Sequence, residues 1–251
     1  MKYPGRVIEK GETDTKIIKA LQNRLQALGI EQFEGVGAFG PKTERAVKLF
    51  QARFTDALGN PLVIDGKVGS ITWEALFGQG TVPEQDEPKN KATSSVIEIA
   101  KAEIGVMEDP PGSNWGPRVK EYLNSVDLNI KAPWCMAFVY WCFQQAANTL
   151  GKGNPLVKTG GVLNHWNKTT GKKIAAKEAV DNPGLVKPGH IFIMDFGKGA
   201  GHTGIVESVT GGFIKVIEGN TNEGGSREGI GVFARTRKIA SINKGFIEYK
   251  I

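Results

Sequence analysis

Two cysteines and three histidines are the residues of this chain best suited to nucleophilic and proton-transfer chemistry. Cys135 and Cys142 lie seven positions apart in an apolar stretch whose spacing predicts a helix, with Pro133 as its first residue. Cys135 then falls in the first turn, where unpaired N–H groups and the helix dipole favour a thiolate, whereas Cys142 lies two turns later without that support. Their Cα atoms would be about 10 Å apart, beyond disulfide reach, so both should be free thiols. The alternative is that both are ordinary core residues.

A thiol nucleophile needs an imidazole to accept its proton, and the imidazole needs a third polar group to hold its orientation. His202 follows Cys135 along the chain and can serve as the base. Glu218 and Asn220 come next, and either could orient the imidazole. The residue types and their order therefore predict a cysteine hydrolase site, with the choice between Glu218 and Asn220 left open.

The other two histidines are weaker candidates. His190 is the rival base, but it follows a Pro-Gly pair at a strand entrance and has no acidic or amide residue matched to it. His165 is expected on the surface of a short helix. A zinc site built from Cys135 and two histidines would need a ligand spacing that the sequence does not contain. We therefore expect no metal and no cofactor.

Three segments with alternating apolar residues predict the β-strands that would carry the base and its partner. They span residues 189–196, 201–206 and 213–220, and the last two are joined through Gly211-Gly212. Ahead of the first cysteine, two further helices are expected around 95–104 and 117–123. Both helices and strands are therefore expected in this part of the chain.

The numbering of the polar residues constrains how these strands pair. His202, Glu218 and Asn220 are all even-numbered. Because side chains alternate between the two faces of a strand, these three lie on the same face only if the numbers of two paired residues add up to an even number. A regular two-residue turn would pair Thr210 with Phe213, which gives an odd sum and places base and orienting group on opposite faces. We therefore predict either a three-residue loop with a left-handed glycine or an intervening β-bulge.

The first 78 residues are predicted to form a separate, all-α domain. Apolar residues at helical spacing predict one helix over 17–28, and a second helix runs from Pro41 through Phe50. Residues 37–47 and 66–76 repeat one another at an offset of 29, and each copy is a turn that leads into a helix. Residues 79–93 contain two prolines and mixed charge and are typical of a linker. The predicted domains are therefore 1–78 and 94–251, joined by the linker 79–93.

Charge and hydropathy restrict the partners. The 251 residues carry a formal net charge of +6, spread evenly and without a basic block, which argues against a nucleic-acid interface. No apolar run approaches the roughly 18 residues of a membrane span, so membrane insertion is not expected. The N-terminus lacks the apolar core of a signal peptide, so we expect synthesis in the cytoplasm without an export signal.

The first domain resembles the small three-helix peptidoglycan-binding domain of many cell-wall hydrolases. The resemblance covers about residues 13–77, with Val36 standing where the first copy of the family pattern usually has Asp. It implies binding of glycan strands or stem peptides without catalysis. The motifs that carry it are Ala20-Leu21-Gln22, Leu28-Gly29, Phe39-Gly40-Pro41-x-Thr43, Phe50-Gln51 and Asp65-Gly66-x-Val68-Gly69-x-x-Thr72-Trp73.

The second domain resembles the CHAP family of cysteine amidohydrolases and peptidases over roughly residues 94–250. The resemblance implies a papain-like α+β fold, a Cys135 nucleophile, a His202 base, and Glu218 as orienting group with Asn220 adjoining it. The acidic cluster of calcium-binding members is missing before Cys135, and His190 replaces the usual Asp after Pro-Gly. The matching motifs are Pro133-Trp134-Cys135-x-x-Phe138-Val139, Lys187-Pro188-Gly189, Gly201-His202-x-Gly204-Ile205-Val206, Glu218-Gly219-Asn220-Thr221, Gly231-Val232-x-x-Arg235-Thr236-Arg237 and Gly245-Phe246-Ile247.

Together the two resemblances imply a modular, phage-type endolysin. Such an enzyme would bind bacterial peptidoglycan through its first domain and cleave stem-peptide amides with the second, as a peptidase or as an N-acetylmuramoyl-L-alanine amidase. It would act as a monomer on the wall after release from the cytoplasm. The alternatives are a wall-binding protein whose second domain is inactive, and an amidase of the same fold that acts on an amide outside the wall.

Overall fold

The computed structural model describes residues 1–85, 88, 90–222 and 229–250. The chain divides into two compact units, Met1–Glu84 together with Val180–Gly184, and Gln85–Ala179 together with Leu185–Ile251. Within the described residues, every helix is too short or too polar to span a bilayer.

The first unit is helical, as predicted. Its helices are α1 (Thr15–Ala27), α2 (Pro41–Arg53) and α3 (Ser70–Phe77). Asp14 begins α1 by accepting hydrogen bonds from two backbone N–H groups of the first turn, and Pro41 begins α2 at the first helical position, where its missing N–H costs nothing. The three helices bury one core that includes Leu21, Phe50 and Trp73.

The 29-residue repeat has a structural counterpart in two buried glutamines. The Gln22 side chain accepts a hydrogen bond from the Gly37 N–H at 2.7 Å and donates to the Ala38 carbonyl at 3.1 Å. One repeat later, Gln51 accepts from the Gly66 N–H at 2.8 Å and donates to the Lys67 carbonyl at 2.8 Å. Each copy therefore uses one glutamine of the preceding helix to hold the glycine turn that starts the next helix.

The second unit combines helices with one sheet. Six strands form a fully antiparallel sheet in the order β1-β6-β2-β3-β4-β5, which confirms the predicted α+β class. The helices are α4 (Lys91–Ala102), α5 (Pro117–Ser125), α6 (Cys135–Thr149), α7 (Val162–Lys168) and α8 (Ala176–Asp181), of which α8 ends with two residues that belong to the first unit. The strands are β1 (Lys172–Ala175), β2 (Ile191–Gly197), β3 (Ala200–Thr210), β4 (Phe213–Thr221), β5 (Gly231–Lys238) and β6 (Gly245–Glu248).

Several boundaries differ from the sequence prediction. α4 begins at Lys91, inside the segment predicted as a linker, because Asn90 caps it by accepting the Thr93 N–H. α6 begins at Cys135 and not at Pro133, since Trp134 has non-helical backbone angles. β1 and α8 carry weak local signals and were not predicted. Among the described residues, β1 pairs only with β6, and its nearest partner, Gly245 opposite Ala175, lies 70 positions away in sequence.

The β3–β4 hairpin confirms the bulge that the residue numbering predicted. Thr210 pairs with Phe213 across a two-residue turn, so the alternative of a three-residue loop is wrong. The pairing then shifts between Val206 and Ser208, and Ile205 pairs with Ile217, an even sum. Beyond this bulge, even-numbered residues of β3 and β4 lie on the same face of the sheet.

Candidate active site

The predicted base and one of its two predicted partners meet on the face of the sheet that the bulge creates. The Nε2 atom of His202, on β3, lies 2.8 Å from Oε2 of Glu218, on β4. His202 is 3% exposed and Glu218 is fully buried. Because an ionised carboxylate only accepts hydrogen bonds, Nε2 carries the hydrogen and donates it. Of the two sequence candidates, Glu218 is therefore the one hydrogen-bonded to the imidazole.

Gly204 makes room for this contact. Gly204 directly precedes Ile205, whose partner Ile217 directly precedes Glu218. A Cβ atom at Gly204 would lie 2.8 Å from Cγ of Glu218 and 2.8 Å from the ring of Phe192. The missing side chain therefore leaves the space through which the glutamate reaches the histidine.

Arg237 on β5 binds the same carboxylate and was not recognised as a site residue from the sequence. Its Nη2 atom lies 2.7 Å from Oε2 of Glu218, and its Nε atom donates to Oε1. Burial by itself raises the pKa of Glu218, but the hydrogen bonds from Arg237 and His202 outweigh it and lower the pKa to about 2. Glu218 is therefore an anion at any pH at which the protein would work.

Cys135 lies at the first position of α6, where the N–H groups of the first turn have no acceptor within the helix. The residue is 4% exposed and carries a free thiol. Burial alone lowers the pKa of His202, but hydrogen bonding with Cys135 and with Glu218 outweighs it and raises the pKa to about 9. Since Nε2 faces Glu218, the opposite ring nitrogen, Nδ1, is the one available to accept the thiol proton.

The side chain of Asn220 is hydrogen-bonded to the residue that precedes α6, and not to the imidazole. In the amide orientation that satisfies both neighbours, its oxygen accepts the Trp134 N–H at 3.2 Å and its nitrogen donates to the Gly229 carbonyl at 3.0 Å. Its φ of 54° lies in the left-handed region, which asparagine tolerates better than most residues. Asn220 thus positions the residue that immediately precedes Cys135.

Glu108 fixes the same tryptophan from the other side and was missed by the sequence analysis. It is 3% exposed, accepts the Trp134 indole N–H at 2.8 Å and accepts the Asn114 N–H at 2.9 Å. The two residues are 26 positions apart, so no local spacing in the sequence predicts this contact. Together Glu108 and Asn220 fix both the ring and the backbone of Trp134.

The remaining candidates have structural environments of their own. Cys142 is fully buried, and burial raises its pKa well above the ordinary value, so it is a poor nucleophile. His190 accepts the Lys187 N–H through Nδ1 at 3.3 Å, within the turn that begins β2. The prediction for His165 is wrong: its side chain is completely buried, with Nε2 2.6 Å from the Tyr249 hydroxyl. No group of three or more His, Cys, Asp or Glu residues among those described is arranged to hold a metal ion.

The arrangement can support nucleophilic chemistry. It brings together a thiol at a helix N-terminus, an imidazole with raised pKa and a buried carboxylate that stays ionised. These are the elements that a thiol hydrolase uses to generate a thiolate and to return a proton to a leaving group.

Comparison with known protein families agrees with this reading. A model of the CHAP domain matches residues 127–220, and a model of a peptidoglycan binding domain matches residues 15–76. The comparisons with curated proteins and with solved structures each gave no match. The chain thus has the modular organisation that its sequence motifs predicted, with a peptidoglycan-binding domain followed by a CHAP domain.

The two domains together support a peptidoglycan hydrolase-like role, with peptidoglycan as the binding partner. Cys135, His202, Glu218 and Asn220 all lie within the CHAP match. Glu108 and Arg237 lie outside it.

Proposed function

We propose that this protein hydrolyses an amide bond in the stem peptide of bacterial peptidoglycan, with Cys135 as nucleophile, His202 as base and Glu218 as the group that orients His202. The observation that carries the proposal is the 2.8 Å contact between His202 Nε2 and the buried Glu218 carboxylate, next to a thiol that raises the pKa of the same imidazole. The matched peptidoglycan-binding domain supports the wall as substrate.

In the acylation step, Nδ1 of His202 takes the proton of Cys135, and the sulfur attacks the carbonyl carbon of the amide. The electron pair of the C=O bond moves to oxygen, where N–H groups of the first turn of α6 stabilise the negative charge. The C–N bond then breaks as the electron pair returns, and His202 gives its proton to the leaving amine. A thioester to Cys135 and a free amine result.

In the deacylation step, His202 takes a proton from water, and the hydroxide attacks the thioester carbonyl. The C–S bond breaks, the product leaves as a carboxylic acid, and His202 returns its proton to the sulfur, which restores the thiol. Glu218 keeps the ring orientation through both steps and stabilises the imidazolium that forms in each. The same reaction describes an amidase and an endopeptidase, which differ in the amide that reaches Cys135.

Digestion of purified peptidoglycan tests the proposal. The wild-type protein should release soluble fragments, and mass spectrometry should find new amino and carboxyl ends in equal number, which also identifies the bond. Cys135→Ala should abolish release while leaving wall binding intact, and Cys142→Ala is the matched control that should retain activity. Release by a folded Cys135→Ala variant would refute the proposed nucleophile.

A thiol-alkylating reagent distinguishes the enzyme from a wall-binding protein with an inactive second domain. At near-neutral pH the enzyme should be modified faster at Cys135 than at Cys142, because only Cys135 is paired with an imidazole. Selective alkylation without any release of wall fragments would point to an amidase of the same fold acting on another amide.

We also propose that the protein is an endolysin that acts as a monomer, made in the cytoplasm and released onto the wall.

A further inference from the structure

One oxygen atom of Glu218 is shared by two cationic groups. Oε2 lies 2.8 Å from His202 Nε2 and 2.7 Å from Arg237 Nη2, while Arg237 Nε donates to the other carboxylate oxygen. A two-pronged contact of this kind fixes both the position and the rotation of a carboxylate. The orientation of the acceptor that faces His202 is therefore set by Arg237.

The shared carboxylate lies in a nearly dry environment. The Arg237 side chain is 12% exposed, and Glu218 and Phe192 are fully buried. The Phe192 ring lies beside both cationic groups, with its centroid 5.6 Å from the guanidinium carbon and 5.9 Å from the His202 ring centroid. With little water between them, the charges interact more strongly than they would at the surface.

We propose that Arg237 is a positioning residue of the reaction, which aims the Glu218 carboxylate at His202 and limits how strongly that carboxylate stabilises the imidazolium. The inference rests on the proposed function, since it takes Cys135, His202 and Glu218 as the reacting set. It goes beyond the family match, which ends at residue 220.

Arg237 has two effects that can be measured separately, one on kcat and the other on the pKa of His202. The two hydrogen bonds from Arg237 to Glu218, called the fork below, hold the carboxylate in place and so support turnover. The positive charge of Arg237 lies 2.7 Å from the same Oε2 atom that His202 contacts at 2.8 Å, so it opposes the imidazolium and lowers the pH at which His202 loses its proton. Among the described residues, Cys135 from α6 and Glu218 from β4 are the titratable groups that act on His202, and Arg237 from β5 acts on Glu218.

Three variants of the full-length protein separate these effects. Arg237→Gln removes the charge and the fork, so kcat should fall while the pKa of His202 and the alkaline limb of the activity profile rise by about one pH unit. Arg237→Lys keeps the charge without the fork, so kcat should fall with the limb unchanged. Glu218→Gln removes the anion, so the limb should move to lower pH. KM for wall fragments should change little in the first two, as expected of a residue that acts through Glu218.

Lys238→Gln is the matched control, because it removes the same charge from the neighbouring position of β5, whose side chain lies near Phe213. It should leave both kcat and the titration of His202 as in the wild type. A residue that served only stability would lower the melting temperature without moving the titration, so a folded Arg237→Gln with unchanged His202 titration would overturn the proposal. If Arg237→Gln fails to fold, wild-type kcat in Arg237→Lys would overturn it.

Following the His202 ring by NMR keeps this test separate from that of the proposed function. The titration requires no turnover, so its shift in Arg237→Gln can be measured whether or not the wall is digested. A shifted titration together with full activity of Cys135→Ala would retain the electrostatic coupling and refute the nucleophile. An unshifted titration with an inactive Cys135→Ala would refute the role of Arg237 alone.

Discussion

Acidification from pH 6.5 to pH 4 should destabilise the second unit through His165. The side chain is completely buried, with Nε2 2.6 Å from the Tyr249 hydroxyl and Nδ1 3.4 Å from the Val157 carbonyl oxygen. A neutral ring satisfies both contacts if Nδ1–H donates to the carbonyl and Nε2 accepts from the tyrosine. Burial lowers the pKa of His165 from 6.5 to about 4, because the imidazolium would lose its hydration.

The sign and size of the effect follow from this shift. Between these two pH values the unfolded chain binds a proton that the folded chain does not, so the free energy of unfolding falls as the pH falls. The full shift corresponds to about 3 kcal/mol. His202 adds no slope in this range, because its pKa is raised to about 9: its stabilising contribution is complete below pH 6.5 and is lost only as the pH rises toward 9.

Urea unfolding followed by tryptophan fluorescence can measure this loss. Four of the five tryptophans, Trp115, Trp134, Trp141 and Trp166, belong to the second unit, so the signal reports mainly on it. His165→Gln is the matched variant because glutamine stays neutral throughout. It should be less stable than the wild type at pH 7 but should lose less stability on acidification. Equal losses in the two proteins would refute a buried, neutral His165 as the cause.

Three further predictions concern packing, the second thiol and the binding domain. Gly219→Ala should lower the free energy of unfolding by about 1–3 kcal/mol and reduce activity, because the added Cβ would lie 2.7 Å from two aromatic side chains at the start of α6. Gly153→Ala, where nothing lies within 4 Å of the added Cβ, is the control in thermal unfolding. Cys142→Ala should lower stability by about 1–2 kcal/mol and keep wall digestion, and the reverse pattern would refute its structural role. A fragment of residues 1–80 should sediment with insoluble peptidoglycan, and its failure to do so would reduce this domain to a spacer.

Much of the fold was predictable from local signals. The helices of both units have apolar residues at helical spacing and recognisable starts, such as Asp14 before α1 and Pro41 in α2. Elements whose partners are remote in sequence were not predictable. β1 has only four residues and pairs with β6, and the capping of α4 by Asn90 overrides a composition that is typical of a linker.

In the site too, features that depend on one turn were predictable from the sequence, and features that depend on the pairing of several strands were not. The even numbers of His202, Glu218 and Asn220 predicted either a three-residue loop or a bulge, because only residue numbers and the length of one turn entered the argument, and the structure has the bulge. Arg237 could not be found in this way. Its approach to Glu218 depends on the pairing of β4 with β5, which contains a register shift of its own between Glu218 and Thr221. The side chain that completes the charge arrangement therefore becomes visible only when all three strands are assembled.

The two residues that the sequence offered as alternatives for one task serve two different tasks. Glu218 faces His202, while Asn220, two positions later, holds the Trp134 N–H and thereby the start of α6. The left-handed backbone at Asn220 breaks the regular alternation, so residues that strict alternation would place side by side have different partners. One short stretch of β4 thus holds the His202 ring through Glu218 and anchors the start of the helix that carries Cys135 through Asn220. A shift of this stretch would separate Cys135 from His202 even if both side chains were intact.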